Sequence, residues 1–507
     1  MSKDYVVAAL ADWHVQENSV VELDGTRYFL VTNGQGIRQL AIVAPLALSA
    51  AFQDLTDVSQ TSANEGSTLL LAPLNAANAA ALRRRFAWLN PSVQGLRAGA
   101  GLGDRLGLAT PGHLRAVRAV QGKMVPFPAQ QSIREMTRTG RSPQEVLDDA
   151  TWGVFAEGWR AGFGADADHL KTPADIDACL AAGYTFYTFD PGAYVESAAD
   201  QASAEELSNS LQALPWDRLA DTPEALLARY LSAPCQCEGY QIEFDALLVT
   251  RAAVKYGHAL AHVALLYQHL ARVGANQSWE VEVSVDETET PTTPAEHVYL
   301  ATELRRLGVE WVSLAPRYPG RFEKGVDYIG DLAAFEAEFA IHAAIARVLG
   351  PYKLSLHSGS DKFSVYAIAA RQTRGVVHLK TAGTSYLEAL HTIARLEPEL
   401  LRAIYTFARA CYEVDRASYH VSASLERAPL PESLLDTDML ALLEQFDARE
   451  ILHVTFGSVL TARTPAGAWL FYERLMTVLR LNPEVYASDL QAHFIRHLQP
   501  FVLLATD

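Results

Sequence analysis

The sequence predicts an α/β fold: a TIM-like (β/α)8 barrel with a smaller α/β domain ahead of it and a helical insertion before the last strand. From about Thr151 onward, short β-rich runs alternate with amphipathic helices, which is the pattern of parallel βαβ units. Eight such runs indicate a sheet that closes into a barrel. A chain of 507 residues also exceeds one ordinary compact core. We therefore expect an N-terminal α/β domain at residues 1–150 and a barrel domain at residues 151–507.

The first 150 residues carry strand signals and one helical run. Tyr28–Thr32 and Ile37–Val43 flank Asn33-Gly34, a dipeptide typical of tight hairpins. Leu69–Pro73 has the composition of a strand, and the helical run Ala76–Phe86 follows it. These elements predict a small α/β domain.

The strand candidates of the barrel lie between residues 162 and 456. They are Gly162–Asp166, Tyr184–Phe189, Tyr240–Asp245, Trp279–Val285, Glu310–Leu314, Tyr352–His357, Val376–Lys380 and Leu452–Phe456. Amphipathic helices run between them, such as Ala246–Val273, Pro294–Leu307 and Leu332–Leu349. The stretch Tyr386–Glu450 is also helical, and it forms the predicted insertion before the last strand.

Composition excludes several classes of function. The formal charge of −17 argues against a nucleic-acid partner, because phosphate binding needs a basic face. The sequence shows neither an apolar run long enough for a membrane span nor a signal peptide, so we expect a cytoplasmic protein without a membrane partner. The four cysteines are too few and too scattered for a disulfide framework. Whether the chain forms a homo-oligomer stays open.

Several predicted strands place polar residues along one face. The sets that share a face are Gln241, Glu243 and Asp245; Glu280, Glu282, Ser284 and Asp286; Lys353, Ser355 and His357; and His378 and Lys380. Helices cover the outside of a parallel barrel, so these faces must point inward. Buried charges are costly unless they pair or bind a metal. The pattern favours a functional interior containing a cation over an antiparallel sheet with one wet face.

Histidines at three predicted strand ends are candidate metal ligands. Asp168, His169 and Lys171 lie within four residues after the first predicted barrel strand. His357 ends a later strand, and His378 lies on the next one. Three imidazoles at one end of a barrel offer nitrogen ligands and leave positions for substrate oxygens. Each histidine taken alone is more often structural.

Two other patterns have competing interpretations. Arg317 follows the fifth predicted strand, where it could bind a carboxylate in a bidentate fork or simply lie on a surface loop. Gly99–Gly107 has glycine spacing that could cradle phosphates, but Thr110-Pro111-Gly112 interrupts the helix that a dinucleotide site requires. We therefore do not expect a nucleotide there.

Four longer motifs resemble the tagaturonate epimerase family. They are Gly101–His113, Ala129–Glu135, Asp166–Thr172 and Leu356–Phe363, and the resemblance runs from about residue 95 to the C-terminus. It implies interconversion of D-tagaturonate and D-fructuronate with a divalent metal, which the sequence does not resolve among Zn, Ni, Mn and Co. Related enzymes also act on the neutral ketoses fructose and tagatose, so the preference for a sugar acid stays open.

The chemistry of this reaction suggests a retro-aldol route. The epimerised carbon lies β to the ketone, so its hydrogen is not acidified, whereas cleavage and re-formation of the neighbouring C–C bond can invert it. A transient redox route through a bound nicotinamide is the rival.

Each candidate residue of the site has a predicted role. We expect His169, His357 and His378 to hold the metal, and Asp168 and Glu282 to exchange protons. The residues expected to bind the substrate are Lys171, Arg317, Lys362, Lys380, Gln131 and Arg134.

Other functions and ligands remain open at this stage. A metal-dependent aldose–ketose isomerase or a class II aldolase would use similar ions and substrates. A non-catalytic sugar-acid binding protein would need no metal. Glu243, Glu280 or Asp286 could supply a further ligand.

Overall fold

The computed structural model describes residue 10 and residues 12–45, 51–58 and 67–503. Within these ranges the chain forms a five-stranded antiparallel sheet, a nine-stranded parallel sheet and a two-stranded hairpin. No helix of the described ranges is long and apolar enough to cross a membrane. The alternation of strands and helices confirms the predicted α/β class.

The N-terminal sheet is built from antiparallel neighbours. Its strands are β1 Trp13–Leu23, β2 Thr26–Asn33, β3 Arg38–Pro45, β4 Thr56–Asp57 and β5 Ser67–Pro73, in the spatial order β1-β2-β3-β5-β4. The predicted hairpin at Asn33-Gly34 joins β2 to β3. Successive residues face opposite sides, so Phe29 packs into a small separate cluster while Tyr28 joins the main core.

The parallel sheet forms the barrel. Its strands are β6 Gly99–Gly101, β7 Val125–Phe127, β8 Ala129–Ser132, β9 Ala165–Leu170, β10 Phe186–Phe189, β13 Glu280–Ser284, β14 Ser313–Ala315, β15 Lys353–Leu356 and β16 Val377–Lys380; the hairpin between them consists of β11 Cys235–Cys237 and β12 Tyr240–Ile242. The barrel strands follow the order β7-β6-β16-β15-β14-β13-β10-β9-β8.

One segment closes the ring. β7 pairs with β6, β8 pairs with β9, and only Pro128 separates β7 from β8. Proline has no N–H to donate, so it interrupts the hydrogen-bond ladder without ending the extended chain. Residues 125–132 therefore serve as one strand, and the nine strands make the eight-membered ring of a (β/α)8 barrel.

Six of the eight predicted barrel strands are confirmed with shifted bounds, and two are wrong. Tyr240–Asp245 is not in the barrel, because Tyr240–Ile242 pairs with Cys235–Cys237. Leu452–Phe456 lies in the helices Phe446–Val454 and Phe456–Thr461. A short apolar run buried on all sides has no period that separates a strand from a helix.

The observed strands change the positions of the helical insertion and of the domain boundary. The helical stretch Tyr386–Glu450 exists, but it follows the last strand rather than preceding it. The predicted boundary between residues 150 and 151 would leave β6, β7 and β8 outside the barrel into which they are hydrogen-bonded. We therefore propose a boundary between the 3-10 turn Ala87–Leu89 and β6.

Helices cover the barrel and extend beyond it at the C-terminal end of the chain. The α-helices of the described residues are Ala76–Arg85, Thr110–Ala119, Ile133–Thr139, Pro143–Ala156, Pro173–Ala182, Ala204–Gln212, Trp216–Leu219, Pro223–Leu231, Ala246–Val273, Pro294–Arg306, Leu332–Val348, Phe363–Thr373, Thr384–Leu396, Pro398–Asp415, Met439–Leu442, Phe446–Val454, Phe456–Thr461, Tyr472–Leu481 and Pro483–Leu503. The last helix packs against Thr110–Ala119, Phe363–Thr373 and Thr384–Leu396. It thereby joins the end of the chain to both halves of the barrel.

Aromatic rings fill the interior near the start of the strands. Phe127 and Phe186 form a buried cluster with Val125, and their ring centroids lie 5.5 Å apart. The buried Lys353 ammonium lies 5.2 Å from the Phe186 centroid and makes no hydrogen bond to a described residue. A side chain on Gly164 would collide with the Phe127 ring. The barrel is packed tightly at this level.

We predict that Gly164→Ala destabilises the protein. The added methyl group must displace the Phe127 ring, and overpacking of this kind costs about 1–3 kcal/mol. Gly239→Ala is the matched control, because nothing lies within 4 Å of its added carbon. Calorimetry should show a lower Tm for the first variant alone. Equal Tm values would contradict the tight packing.

We also predict a pH dependence that stems from Lys353. Burial lowers the pKa of its ammonium below the ordinary 10.5, although Glu280 and Glu282 oppose the shift. In the window between the folded pKa and the unfolded pKa, the unfolded chain binds the extra proton, so stability rises with pH. Compared with Lys353→Met, the wild-type Tm should therefore increase as the pH rises toward the ordinary lysine pKa of about 10. A difference that stays constant with pH would contradict this.

Candidate functional site

Polar side chains from six barrel strands are buried together. They are Asp166, Asp168, Thr188, Glu282, Ser284, Ser313, Ser355, His357, His378 and Lys380. Lys380 on β16 contacts residues of β9, β10 and β13, none of which is a sheet neighbour of β16. Such contacts must cross the interior, so the polar faces point into the barrel.

The Lys380 ammonium is the centre of this network. Its Nζ lies 2.9 Å from Asp166, 2.7 Å from Asp168 and 2.9 Å from Glu282, and it donates to Thr188 Oγ1 at 2.7 Å. One cation thus contacts three buried carboxylates. Because its donors are all engaged within the protein, Lys380 has none left for a substrate, in contrast to its predicted binding role.

The pKa values of these groups follow from the same contacts. Burial alone would raise the pKa of Asp168 and of Glu282, but Lys380 and the nearby imidazoles outweigh burial and hold both well below their usual range. Burial would lower the pKa of Lys380, yet its carboxylate partners raise it above the ordinary value. All three side chains are therefore charged at neutral pH.

A bulge in β9 turns two consecutive side chains toward one cleft. Tyr187 pairs with Ala167 and Phe189 with Leu170, so β9 carries one extra residue at Asp168-His169. His169 has a φ of 54°, in the left-handed region that few side chains adopt. Regular alternation would send the two to opposite faces. The bulge instead lets both line the same space.

Both imidazoles of the cleft are oriented by carboxylates. His169 Nδ1 donates to Asp190 at 3.3 Å, and His357 Nε2 donates to Glu282 at 2.6 Å. His357 Nδ1 also lies 3.1 Å from Asp286. Burial would lower both pKa values, but Asp168 and Asp190 raise the pKa of His169 to about 10. Asp286 and Glu282 likewise raise the pKa of His357 to about 9.

Asp168, His169 and His357 could together hold a metal ion. One ligand atom from each lies within 4.8 Å of the others. Two imidazoles and a carboxylate suit Zn, Mn, Co or Ni, and carboxylates that orient ligating imidazoles, as Asp190 and Glu282 do here, accompany most such sites. The donor set fits a divalent cation.

His378 is not part of this group. Its ring packs against Phe127 and Phe186, with centroids 4.9 Å and 5.0 Å away, deeper in the barrel. Its nearest carboxylate is Asp166, at 3.6 Å. His378 precedes Lys380 by two positions, so it faces inward like Lys380 but one layer below the cleft.

A second cluster of three candidate ligands is closed by its own hydrogen bonds. Asp361, His493 and His497 lie together, but the backbone N–H of Asp361 donates to His497 Nε2 at 3.0 Å, and Arg449 pairs with Asp361 at 3.1 Å. The last helix thus holds the turn after His357 in place. This cluster is structural.

A cleft lies beside the three ligand candidates, with about 490 Å³ of space between its walls, part of which is open to solvent. Its polar lining consists of Arg105, Gln130, Ser132, Arg134, Glu135, Asp168, His169, Lys324, His357, Ser358, Ser360, Lys380, Tyr419 and His453. Two further clefts adjoin it, sharing His357 on one side and His169 on the other. The space can take a small polar molecule, in reach of imidazoles, carboxylates and cations.

The structure separates the predicted substrate-binding residues. Arg134 borders the cleft, where it pairs with Glu287 at 2.7 Å. Arg317 lines the neighbouring cleft, and its guanidinium donates to the carbonyl of Thr288.

Of the remaining three, Lys171 lines the adjoining cleft that shares His169, whereas Lys362 and Gln131 line none of these clefts. Lys171 is 51% exposed and pairs with Asp190 at 3.2 Å. Lys362 is fully buried, and its ammonium donates to three backbone carbonyls, so it caps a turn. Gln131 is fully buried, and its side-chain oxygen accepts from Arg141 at 3.2 Å.

The structure also places the three acidic residues that the sequence analysis named as possible further ligands. Glu243 is exposed beside the hairpin, and Glu280 accepts the backbone N–H groups of Gln94 and Gly95 at the start of its strand. Asp286 alone lies beside the imidazoles. Glu282, the predicted acid, does not line the cleft, and it contacts two residues that do, His357 and Lys380.

Sequence reasoning missed several residues of the cleft. Arg105 and Gln130 lie inside the motifs that carry the family resemblance, so those motifs contained the signal. Lys324, Tyr419 and His453 come from separate loops and helices, and no local pattern marks them.

Comparisons with known proteins agree along the chain. The sequence profile of the tagaturonate epimerase family matches residues 16–501. The tagaturonate/fructuronate epimerase of Thermotoga maritima is 42% identical over 486 residues, which cover 96% of each chain. The native crystal structure of the fructuronate-tagaturonate epimerase of Cohnella laeviribosi has a TM-score of 0.90 and 36% identity, and the alignment covers 99% of both chains. A glycerol complex of that enzyme matches with the same TM-score and identity, over 98% of this chain and 99% of that one. This protein is an epimerase that belongs to the tagaturonate epimerase family.

Proposed function

We propose that this protein interconverts D-tagaturonate and D-fructuronate and that a divalent cation held by Asp168, His169 and His357 takes part. The observation that carries the first proposal is the agreement with named tagaturonate/fructuronate epimerases over 96% of the chain or more. The convergence of the three side chains supports the second.

The proposed ligand set differs from the predicted one at one position, because Asp168 takes the place of His378. Asp168 borders the cleft with both imidazoles, whereas His378 lies among phenylalanine rings. Without a cation the two imidazoles retain their protons, since their pKa values are raised to about 10 and about 9. Imidazole must be neutral to bind a metal, so loading should release protons. When bound, the cation would act as a Lewis acid toward the oxygen atoms of the substrate.

We propose a retro-aldol route for the reaction. A base takes the proton from the hydroxyl on the carbon that is epimerised, and the oxygen electrons form an aldehyde C=O. The neighbouring C–C bond breaks, and its electron pair passes toward the keto group. After the aldehyde rotates, the same bond re-forms on the other face and the proton returns to the oxygen. The carbon skeleton and the ketone position are conserved.

Asp286 is the carboxylate that we assign to this proton transfer, in place of Asp168 and Glu282. His357 holds the pKa of Asp286 below its usual range, as Lys380 and the imidazoles do for Asp168 and Glu282, so position and not basicity separates the three. Lys380 pairs with the other two carboxylates, whereas Asp286 forms no pair with a lysine among the described residues. Its side chain is 17% exposed, contacts His357 and lines the adjoining cleft. It can therefore meet a substrate hydroxyl next to the cation site.

The proposed activity is tested by incubating the pure protein with D-fructuronate and following the sugar by NMR. We expect D-tagaturonate to appear without smaller fragments, because the cleaved bond re-forms. Released fragments would indicate an aldolase, an aldose product would indicate an isomerase, and binding without conversion would indicate a binding protein. Each of these results contradicts the proposal.

We predict that His357→Ala loses bound metal and activity together. Removing one of three ligands should leave little metal after dialysis and lower kcat/KM by about 100-fold or more. Metal content is read by mass spectrometry independently of turnover, and chelation of the wild type should have the same effect on activity. His258→Ala, exposed on helix Ala246–Val273, is the control. A His357→Ala protein with full metal content would refute this ligand assignment.

We predict that Asp286→Asn retains metal but turns over slowly. Loss of a general base lowers kcat by about 10²–10⁴-fold, while the three ligands remain in place. Metal content and steady-state kinetics check this. If the variant loses its metal instead, Asp286 is a ligand and not the base.

A further inference from the structure

The cleft has one wall whose donors lack partners. We call Arg105, Lys324 and His453 the basic wall. All three line the cleft that contains Asp168 and His357, yet they come from the loop after β6, the loop after β14 and the helix Phe446–Val454. Neither the metal site nor the proton transfer uses them.

Arg105 is buried and only partly satisfied. It is 3% exposed, its guanidinium pairs with Glu135, and it stacks over Phe456 with 3.6 Å to the ring centroid. Its second terminal nitrogen makes no hydrogen bond to a described residue. Glu135 and Phe456 fix the orientation of the guanidinium, and one N–H group remains free.

His453 is 1% exposed, and neither of its ring nitrogens has a hydrogen-bond partner among the described residues. Two glycines make room for it, because a side chain on Gly325 or Gly383 would collide with the ring. Burial lowers the pKa of this imidazole well below its usual range, and Arg105 and Lys324 lower it further. The ring is neutral and offers one N–H donor.

Lys324 carries the only unbalanced charge of the basic wall. Its ammonium donates to Ser358 Oγ at 2.7 Å, and no described carboxylate forms an ion pair with it. Arg105 is neutralised by Glu135, and His453 is neutral. The basic wall therefore presents one net positive charge, from Lys324, together with unpaired donors of Arg105 and His453.

We infer that the basic wall is the subsite for the carboxylate group of a sugar acid. Buried donors without partners are rare in proteins, and a bound carboxylate would satisfy them with charge-assisted hydrogen bonds. One net positive charge matches one carboxylate. A neutral sugar would leave the ammonium without a counter-charge.

This subsite rests on the proposed function and extends it. Ser358, which accepts from Lys324, directly follows His357, so the basic wall and the cation site adjoin within one cleft. A carboxylate on the basic wall directs the keto and hydroxyl groups toward Asp168 and His357. The subsite thus assigns the protein a preference for hexuronates over neutral ketohexoses.

The test compares Lys324→Met and His453→Gln with the wild type. Lys123→Met is the control, because Lys123 is exposed and does not line the cleft. Calorimetry measures the Kd of D-gluconate and of D-sorbitol, its neutral counterpart, and kinetics measures KM and kcat for D-fructuronate. Losing one charge-assisted hydrogen bond should weaken gluconate binding and raise KM by about 10- to 100-fold. We expect unchanged sorbitol binding and metal content, and partial rescue by Lys324→Arg.

The outcomes separate the subsite from the proposed function. If both variants bind gluconate as the wild type does, or if the wild type binds gluconate no better than sorbitol, the subsite is refuted. If the wild type does not convert fructuronate but Lys324→Met still loses gluconate affinity, the proposed reaction fails and the carboxylate subsite stands.

Discussion

The contact of one ammonium with three carboxylates is the constraint on which this barrel depends. Asp166, Asp168 and Glu282 would repel one another in the buried interior, and Lys380 lies within 2.9 Å of each. Removing one partner from such a buried network leaves an uncompensated charge, which is far more costly than the network is favourable. The polar interior is therefore stable only as a complete set.

This charge balance also determines which charged groups orient their neighbours and which remain available for a ligand. The carboxylates held by Lys380 cannot readily accept protons, so they fix geometry: Glu282 orients His357, and Asp168 faces the cleft as a permanent anion. Lys324 carries a positive charge that pairs with none of these carboxylates, and it lines the same cleft. The chain carries a formal charge of −17, so a site for an anion needs such a local exception.

Much of the fold could be predicted from the sequence, because parallel strands with a polar inner face alternate visibly. The strands β6, β7 and β8 could not be recognised, since they are only three or four residues long. β6 contains glycine and β7 contains proline, which ordinarily argue against a strand, and β8 consists of alanine and polar residues without a hydrophobic strand pattern. Leu452–Phe456 has strand composition, but its neighbours in space make it helical.

The candidate site was predictable where it follows the strand ends. His169 and His357 have the expected position, whereas the roles of Lys380 and His378 depend on how deep each side chain lies, which strand alternation does not specify. Lys324 and His453 approach from segments far apart in sequence, and only tertiary packing brings them together. Local sequence patterns do not predict that these two side chains lie close together.

Residues 125–132 both complete the ring and supply Gln130, whose amide donates to Asp168 at 2.9 Å. Without this segment the aspartate would keep its contact with Lys380 but lose its hydrogen bond to Gln130. Closure of the barrel and the orientation of Asp168 consequently depend on the same eight residues. A fragment that begins after Ser132 would retain the imidazoles yet could not reconstitute the centre by itself.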